Sequence, residues 1–244
     1  MSERHWPRPA LATTALALLG ATALAGCGGG SASSTSQASA TETAGAAATT
    51  GHKAISADQL KGALLTEVGG AKPATPVESG AYGALPDVQT SKETVHGVTV
   101  KPARCADVAV TGFNSAAFTH APASVATFRV GHDGLSEVLV SATPQVASTA
   151  LASRLPAGCS HYTATVEGRT FHYSVREAPV SGLANQARAL NVKAAGYAEV
   201  DVWSVVYRAD GFVGAVTIVG PDATEAGVTK LATQAYQYAA QTLS

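Results

Sequence analysis

Two histidines, three cysteines and a few carboxylates are the side chains whose types and spacing could do chemistry in this sequence. His161 and His172 flank a Glu167-Gly168 pair, which is the turn of a β-hairpin. In the register that this turn sets, His172 lies opposite Thr163, and His161 is its diagonal neighbour on the same face. Two imidazoles so placed could share a metal ion or a ligand, or respond to pH. The ordinary reading is two solvated histidines on a threonine-rich face, and no carboxylate of this hairpin joins them there. Glu199 and Asp201 are two apart, so they point to one face of a strand and could hold a cation. His132-Asp133 falls in a turn, which explains the aspartate without catalysis. Trp203 could stack a ligand, but at mid-strand it reads first as core. The Gly-x-Ser-x-Gly, His-Glu-x-x-His, P-loop and Gly-x-Gly-x-x-Gly patterns do not occur. The sequence therefore offers no catalytic residue and no cofactor motif, and non-enzymatic function is the expectation.

Cys27 stands apart from the other two cysteines. Arg4 and Arg8 supply a positive leader, and Ala10 to Ala23 then runs without a charge through Leu11, Leu16, Leu18 and Leu19. That run is shorter than the ~20 apolar residues a spanning helix needs, so it reads as an export signal, with an uncleaved anchor as the alternative. Leu24-Ala25-Gly26-Cys27 follows directly and resembles the lipobox of bacterial lipoproteins. That resemblance implies lipidation of the Cys27 thiol and cleavage before it. It also implies an address on the outer face of the cytoplasmic membrane, lipid-anchored. The expected organisation is a signal peptide over residues 1–26, a low-complexity tether over 27–54 and a folded domain over 55–244. The tether is rich in Gly, Ser, Thr and Ala, has no periodic apolar face and cannot offset the entropy of ordering.

Cys105 and Cys159 remain. In an exported chain an even pair points to a disulfide; two buried free thiols or a metal pair are the alternatives. The protein of 244 residues carries 16 Lys and Arg against 17 Asp and Glu, a net charge of -1 that argues against a nucleic-acid partner.

The elements that would position these residues are legible in part. Ser56-Ala-Asp-Gln59 is a capping-box pattern, followed by Leu60, Leu64, Leu65 and Val68 on one helical face and a stop at Gly69-Gly70. Ala71 to Thr94 reads as a long loop, His96–Val100 as a short strand and Ala103–Val110 as a short helix. Three hairpins are expected, turning at Asp133-Gly134, Glu167-Gly168 and Asp210-Gly211. In the second, Tyr162, Ala164, Val166, Phe171, Tyr173 and Val175 share a dry face. The third is apolar on both faces and belongs in the middle of a sheet. A helix capped by Thr143, with Pro144 at its first position, runs to Leu155 before Pro156. A final helix after Pro221-Asp222 carries a stripe of Val228, Leu231, Ala232, Ala235, Tyr236, Ala239 and Leu243. The fold class is α+β: one domain, an antiparallel sheet built from hairpins with helices packed on one face.

The order and spacing of Cys105, Leu155-Pro-Ala-Gly-Cys159, Gly182-Leu-Ala-Asn-Gln-Ala187, Tyr207-Arg208-Ala-Asp-Gly211 and the helix with Lys230-Leu-Ala and Tyr236 resemble one known family. It is the extracellular sensor-type domain of mycobacterial PknH-like receptor kinases and its free lipoprotein relatives, over roughly Ser56 to Leu243. The resemblance implies an antiparallel sheet with helices, a cleft, disulfide bracing and small ligands, and it supplies no catalytic residue. This sequence has one possible disulfide where the kinase domains have two, and it has no kinase portion. The expected function is an extracytoplasmic, non-enzymatic ligand-binding or sensor-like lipoprotein. The expected partners are the membrane through the lipid anchor and a small ligand or envelope protein. The rival readings are a structural or partner-binding lipoprotein without a pocket, and an envelope hydrolase.

Overall fold

The structure, a computed structural model, describes residues 54–106, 108, 113, 116–180, 182–183, 186–196 and 199–244. Cys27, the signal peptide and the tether up to residue 53 lie outside the described residues. The described residues all belong to the unit Ala48–Ser244.

Among the described residues nine strands form one antiparallel sheet, in agreement with the α+β class expected from the hairpins. In chain order they are β1 (Glu78–Ala81), β2 (Thr99–Lys101), β3 (Pro122–Val130), β4 (Asp133–Ser141), β5 (His161–Val166), β6 (Arg169–Pro179), β7 (Gln186–Ala195), β8 (Val200–Ala209) and β9 (Phe212–Val219). Their order across the sheet is β1-β3-β4-β9-β8-β7-β6-β5-β2. The doubly apolar hairpin β8–β9 thus occupies the centre, where both faces must be covered. The described helices are α1 (Ala57–Gly62), α2 (Pro86–His96), α3 (Pro144–Ala152) and α4 (Glu225–Leu243).

The turns follow their residues with two adjustments. Glu167 and Gly168 both take positive φ, 49° and 77°, as a type I′ turn requires, and Val166 pairs with Arg169 across them. In the first hairpin Val130 pairs with Asp133, so the turn sits on Gly131-His132 rather than on Asp133-Gly134. Gly131 alone has positive φ there, which glycine reaches without a Cβ clash. In the third hairpin Gly211 alone has positive φ. Strand β7 was not expected from the sequence at all.

The capping box of α1 is complete: Gln59 N–H donates to Ser56 Oγ at 3.2 Å and Ser56 N–H donates to Gln59 Oε1 at 2.9 Å. The helix stops at Gly62, well before Gly69-Gly70. The Leu65 N–H is taken by Glu137 instead of by a helical carbonyl. Gly69 and Gly70, with φ of 57° and 82°, make a separate turn between the bridged residues Val68 and Ala71.

The long loop expected over 71–94 is ordered instead. It contains β1, a 3₁₀ turn at Tyr82–Ala84 and α2, whose first turn is held from outside by Glu78, which accepts from Asp87 N–H at 3.1 Å. His96 therefore ends a helix, and the strand begins at Thr99. Ala103–Cys105 is a 3₁₀ turn, and α3 ends at Ala152 rather than Leu155.

Period-2 alternation splits the core. One face buries Leu139, Trp203, Val205, Tyr207, Phe212 and Val216 beneath α1 and α4. The α4 residues buried there are Val228, Leu231, Ala232, Ala235 and Ala239, from the expected stripe. The other face buries Val140, Val206, Val213 and Ala215 against Ala147, Ala150 and Leu151 of α3. Each large side chain fully buried in this way contributes ~1.5–3 kcal/mol. A third cluster gathers Tyr162, Val175 and Val192 around Cys105 and Cys159.

Candidate functional site

Helix α4 covers the β8–β9 half of its face, no described helix covers the β2–β5–β6 half, and there the register lays polar side chains out in rows. Thr99, Thr165 and Thr170 are opposite one another across β2, β5 and β6. Lys101, Thr163 and His172 form the next row, and His161, Ser174, Lys193 and Asp201 the third. Arg176, Asn191 and Trp203 complete the fourth, at the edge of α4. Residues opposite in register share a face, so the first three rows and Arg176 form one polar surface, bordered by the buried Asn191 and Trp203.

His172 is opposite Thr163, and His161 is diagonal to it on the same exposed face. His161 Nδ1 lies 3.3 Å from Ser160 Oγ, and no described carboxylate orients either ring. Among the described residues no group of three or more His, Cys, Asp or Glu is placed to hold a metal ion. Glu199 and Asp201 do not combine: Glu199 is exposed, while Asp201 Oδ2 pairs with Lys193 Nζ at 3.0 Å and Oδ1 accepts from Asn191 Nδ2. Asp133 Oδ1 accepts from Asp222 N–H at 3.2 Å, a structural task. Trp203 is 4% exposed and is core, with the Arg176 guanidinium 4.9 Å from its ring centroid on the solvent side. Arg176 also pairs with Glu225 of α4 at 3.5 Å.

On the reverse of these rows Cys105 Sγ and Cys159 Sγ lie 2.02 Å apart, with Cα atoms separated by 5.5 Å. Beside them the Tyr162 and Tyr173 rings stack at 4.8 Å. Burial pushes the Tyr162 phenol up to about 12, with Tyr173 adding to the effect.

Two further features were not anticipated. Glu137 is a carboxylate on the dry face of β4, only 2% exposed. Its Oε2 accepts from Leu65 N–H at 2.8 Å, while among the described residues Oε1 and the nearby Tyr207 hydroxyl have no hydrogen-bond partner. Burial pushes this carboxyl up to about 7 against the opposing Leu65 hydrogen bond. The signal was present in Leu135-x-Glu137-x-Leu139, where alternation puts the acid between two core leucines. A groove of about 220 Å³ also opens where the chain enters the fold, lined by Ala54, Pro122, Ser141, Thr143, Val146 and Gly211. It is smaller than the ~300–1,000 Å³ of ordinary small-molecule sites and suits only a small ligand.

No protein-family model matches the chain, and no curated protein matches it. Solved structures do. The crystal structure of the extracellular domain of PknH from Mycobacterium tuberculosis aligns with a TM-score of 0.50 at 14% identity, covering 79% of this chain and 99% of that one. A putative uncharacterized protein from Mycobacterium smegmatis, the Rv0999 ortholog, aligns at 17% identity with a TM-score of 0.38, over 60% of this chain and 76% of that one. At 14% identity the likeness is one of architecture, and the chain has the fold of the PknH extracellular domain.

Proposed function

We propose that this chain is a lipid-anchored lipoprotein on the outer face of the cytoplasmic membrane, with residues 55–244 serving as a non-enzymatic, sensor-type ligand-binding domain. The observation that carries the reading is Leu24-Ala25-Gly26-Cys27 placed directly after a positive leader and an uncharged run. Acylation of Cys27 would anchor the chain, since each buried CH₂ contributes ~0.8 kcal/mol and two or more chains give firm attachment. The pairing of Cys105 with Cys159 fits an oxidising compartment. The PknH domain that shares the fold is extracellular. Among the described residues no helix is long and apolar enough to cross a membrane.

A second reading, docking of an envelope protein on the polar rows of β2, β5 and β6, is favoured by their exposure. Metabolic labelling with palmitate tests the anchor. The wild-type chain should be labelled and Cys27→Ala should not, and equal labelling of both would refute it. Turnover of an envelope substrate, lost on changing one polar residue, would refute the non-enzymatic part.

A further inference from the structure

The α3 face of the sheet holds a cluster of arginines that the reading above does not use. Arg188 of β7 is opposite Val206 of β8, and Arg208 stands two residues further along β8. Both side chains therefore leave the same face as diagonal neighbours, ~7–8 Å apart at the backbone. Helix α3 lies across them. Arg208 Nη1 donates to Ser148 Oγ, and Arg188 Nη1 donates to the Ser153 carbonyl. Arg154, just past the helix, donates through Nη1 to the Leu151 carbonyl at 3.2 Å.

The local charge does not balance. Glu177 of β6 is 3.6 Å from Arg188 Nη1, and its Oε1 also accepts from Leu155 N–H at 2.8 Å. Among the described residues neither Arg154 nor Arg208 has a carboxylate partner. Among the described residues these three guanidinium groups have one carboxylate within ion-pair distance, an excess of two positive charges in direct pairing. The Arg188 side chain is only 12% exposed, and its buried Nε has no hydrogen-bond partner among the described residues. Burial lowers the Arg188 pKa, and Arg154 lowers it further while Glu177 opposes both. Satisfying the free carbonyls at the end of α3 accounts for part of Arg154 and Arg188. It does not account for Arg208, which binds mid-helix, or for the unpartnered Nε.

We propose that Arg154, Arg188 and Arg208 form an anion site for the phosphate monoester group of an extracytoplasmic ligand. A phosphate monoester carries close to two negative charges at neutral pH, matching the excess. The planar guanidinium fork grips phosphate oxygens in pairs, which an ammonium cannot do. This assignment names a ligand class for the sensor-type reading and rests on it.

The test is calorimetric titration of the full chain, in mild detergent at low ionic strength, with inorganic phosphate and then with a sugar phosphate. Saturable binding is expected, weakened about tenfold or more by Arg208→Gln and by Arg188→Gln. Arg129→Gln, at an exposed arginine of β3, should bind as the wild type does. Arg208→Gln is the deciding variant, because Arg188 also packs in the interior. Phosphatidylcholine vesicles with and without phosphatidic acid, offered to the Cys27→Ala chain, separate the two sources of phosphate. Sedimentation that needs phosphatidic acid and is competed by inorganic phosphate identifies a lipid headgroup. Binding of the sugar phosphate alone identifies a soluble ligand. Absence of saturable phosphate binding, or wild-type affinity in Arg208→Gln, overturns the site. Either result would leave palmitate labelling of Cys27 untouched, so the two readings fail separately.

Discussion

Glu137 Oε2 accepts a hydrogen bond of 2.8 Å from the backbone N–H of Leu65, 72 residues earlier in the chain. It ties the segment after α1 to the middle of the sheet through a carboxyl group that is almost wholly out of water. Helix α1 has already closed by then, with the Ala63 N–H donating to the Leu60 carbonyl, and the Leu65 N–H faces the sheet instead of a helical carbonyl.

The Glu137 carboxyl makes stability fall with rising pH. Its ordinary value is 4.5, and burial raises it to about 7 in the fold. The folded state therefore holds this proton more tightly than the unfolded chain. The contribution is full below pH 4.5 and is lost as pH rises through about 7. The difference corresponds to roughly 3 kcal/mol. Urea midpoints should be lower at about pH 8 than at about pH 5 in the wild type and nearly equal in Glu137→Gln, which keeps the acceptor without the charge. The same pH slope in both proteins would place the effect elsewhere.

Tyr207 and Gly214 are opposite each other on β8 and β9. A Cβ added at Gly214 would run into the Tyr207 ring and lie 2.5 Å from its hydroxyl. Gly214→Ala should therefore lower stability by about 1–3 kcal/mol, the usual cost of overpacking. At Gly62, the end of α1, an added Cβ would meet nothing within 4 Å, so Gly62→Ala should be neutral or stabilising by up to about 1 kcal/mol. Parallel thermal melts compare the two, and a larger loss at Gly62 would contradict the packing argument.

Closing the 54-residue separation between Cys105 and Cys159 restricts the unfolded chain by about 4 kcal/mol on chain-entropy grounds. Cys105→Ala/Cys159→Ala should lose about that much in a denaturant titration without reductant. Peptide mapping of the wild type without reductant should recover the two cysteine peptides joined; free thiols at both would remove the crosslink.

Arg176 rests over the face of Trp203, the only tryptophan beyond residue 26. Arg176→Ala should cost about 0.5–1 kcal/mol, small because the Arg176 side chain is 60% exposed. It should also shift Trp203 emission to the red as water reaches the ring. Unchanged emission would show that the guanidinium does not shield the indole.

Local signals sufficed for a particular set of elements. The capping box at Ser56 and Gln59, the I′ turn at Glu167-Gly168 and the α4 stripe each rest on neighbours within a few residues. So does the central place of β8–β9, since a strand apolar on both faces must be covered on both. Strand β7 escaped because Arg188, Asn191 and Lys193 break its apolar pattern, and it becomes a strand by pairing with β6 and β8. Helix α2 escaped because its run of Gln, Thr, Ser, Lys and Glu shows little apolar periodicity and its first turn is capped by Glu78 from a different element.

What the sequence alone determined are the hairpins, the terminal helix, the α+β class and the expectation of an exported, acylated chain. Each depends on periodicity, turn chemistry or the order of adjacent residues. The tertiary structure decided where α1 ends, that residues 71–94 are ordered, and which polar side chains meet. Glu137 with Leu65, and Arg154 with Arg188 and Arg208, are far apart in the chain. Their energies come from shared burial and charge in space, which no local pattern encodes.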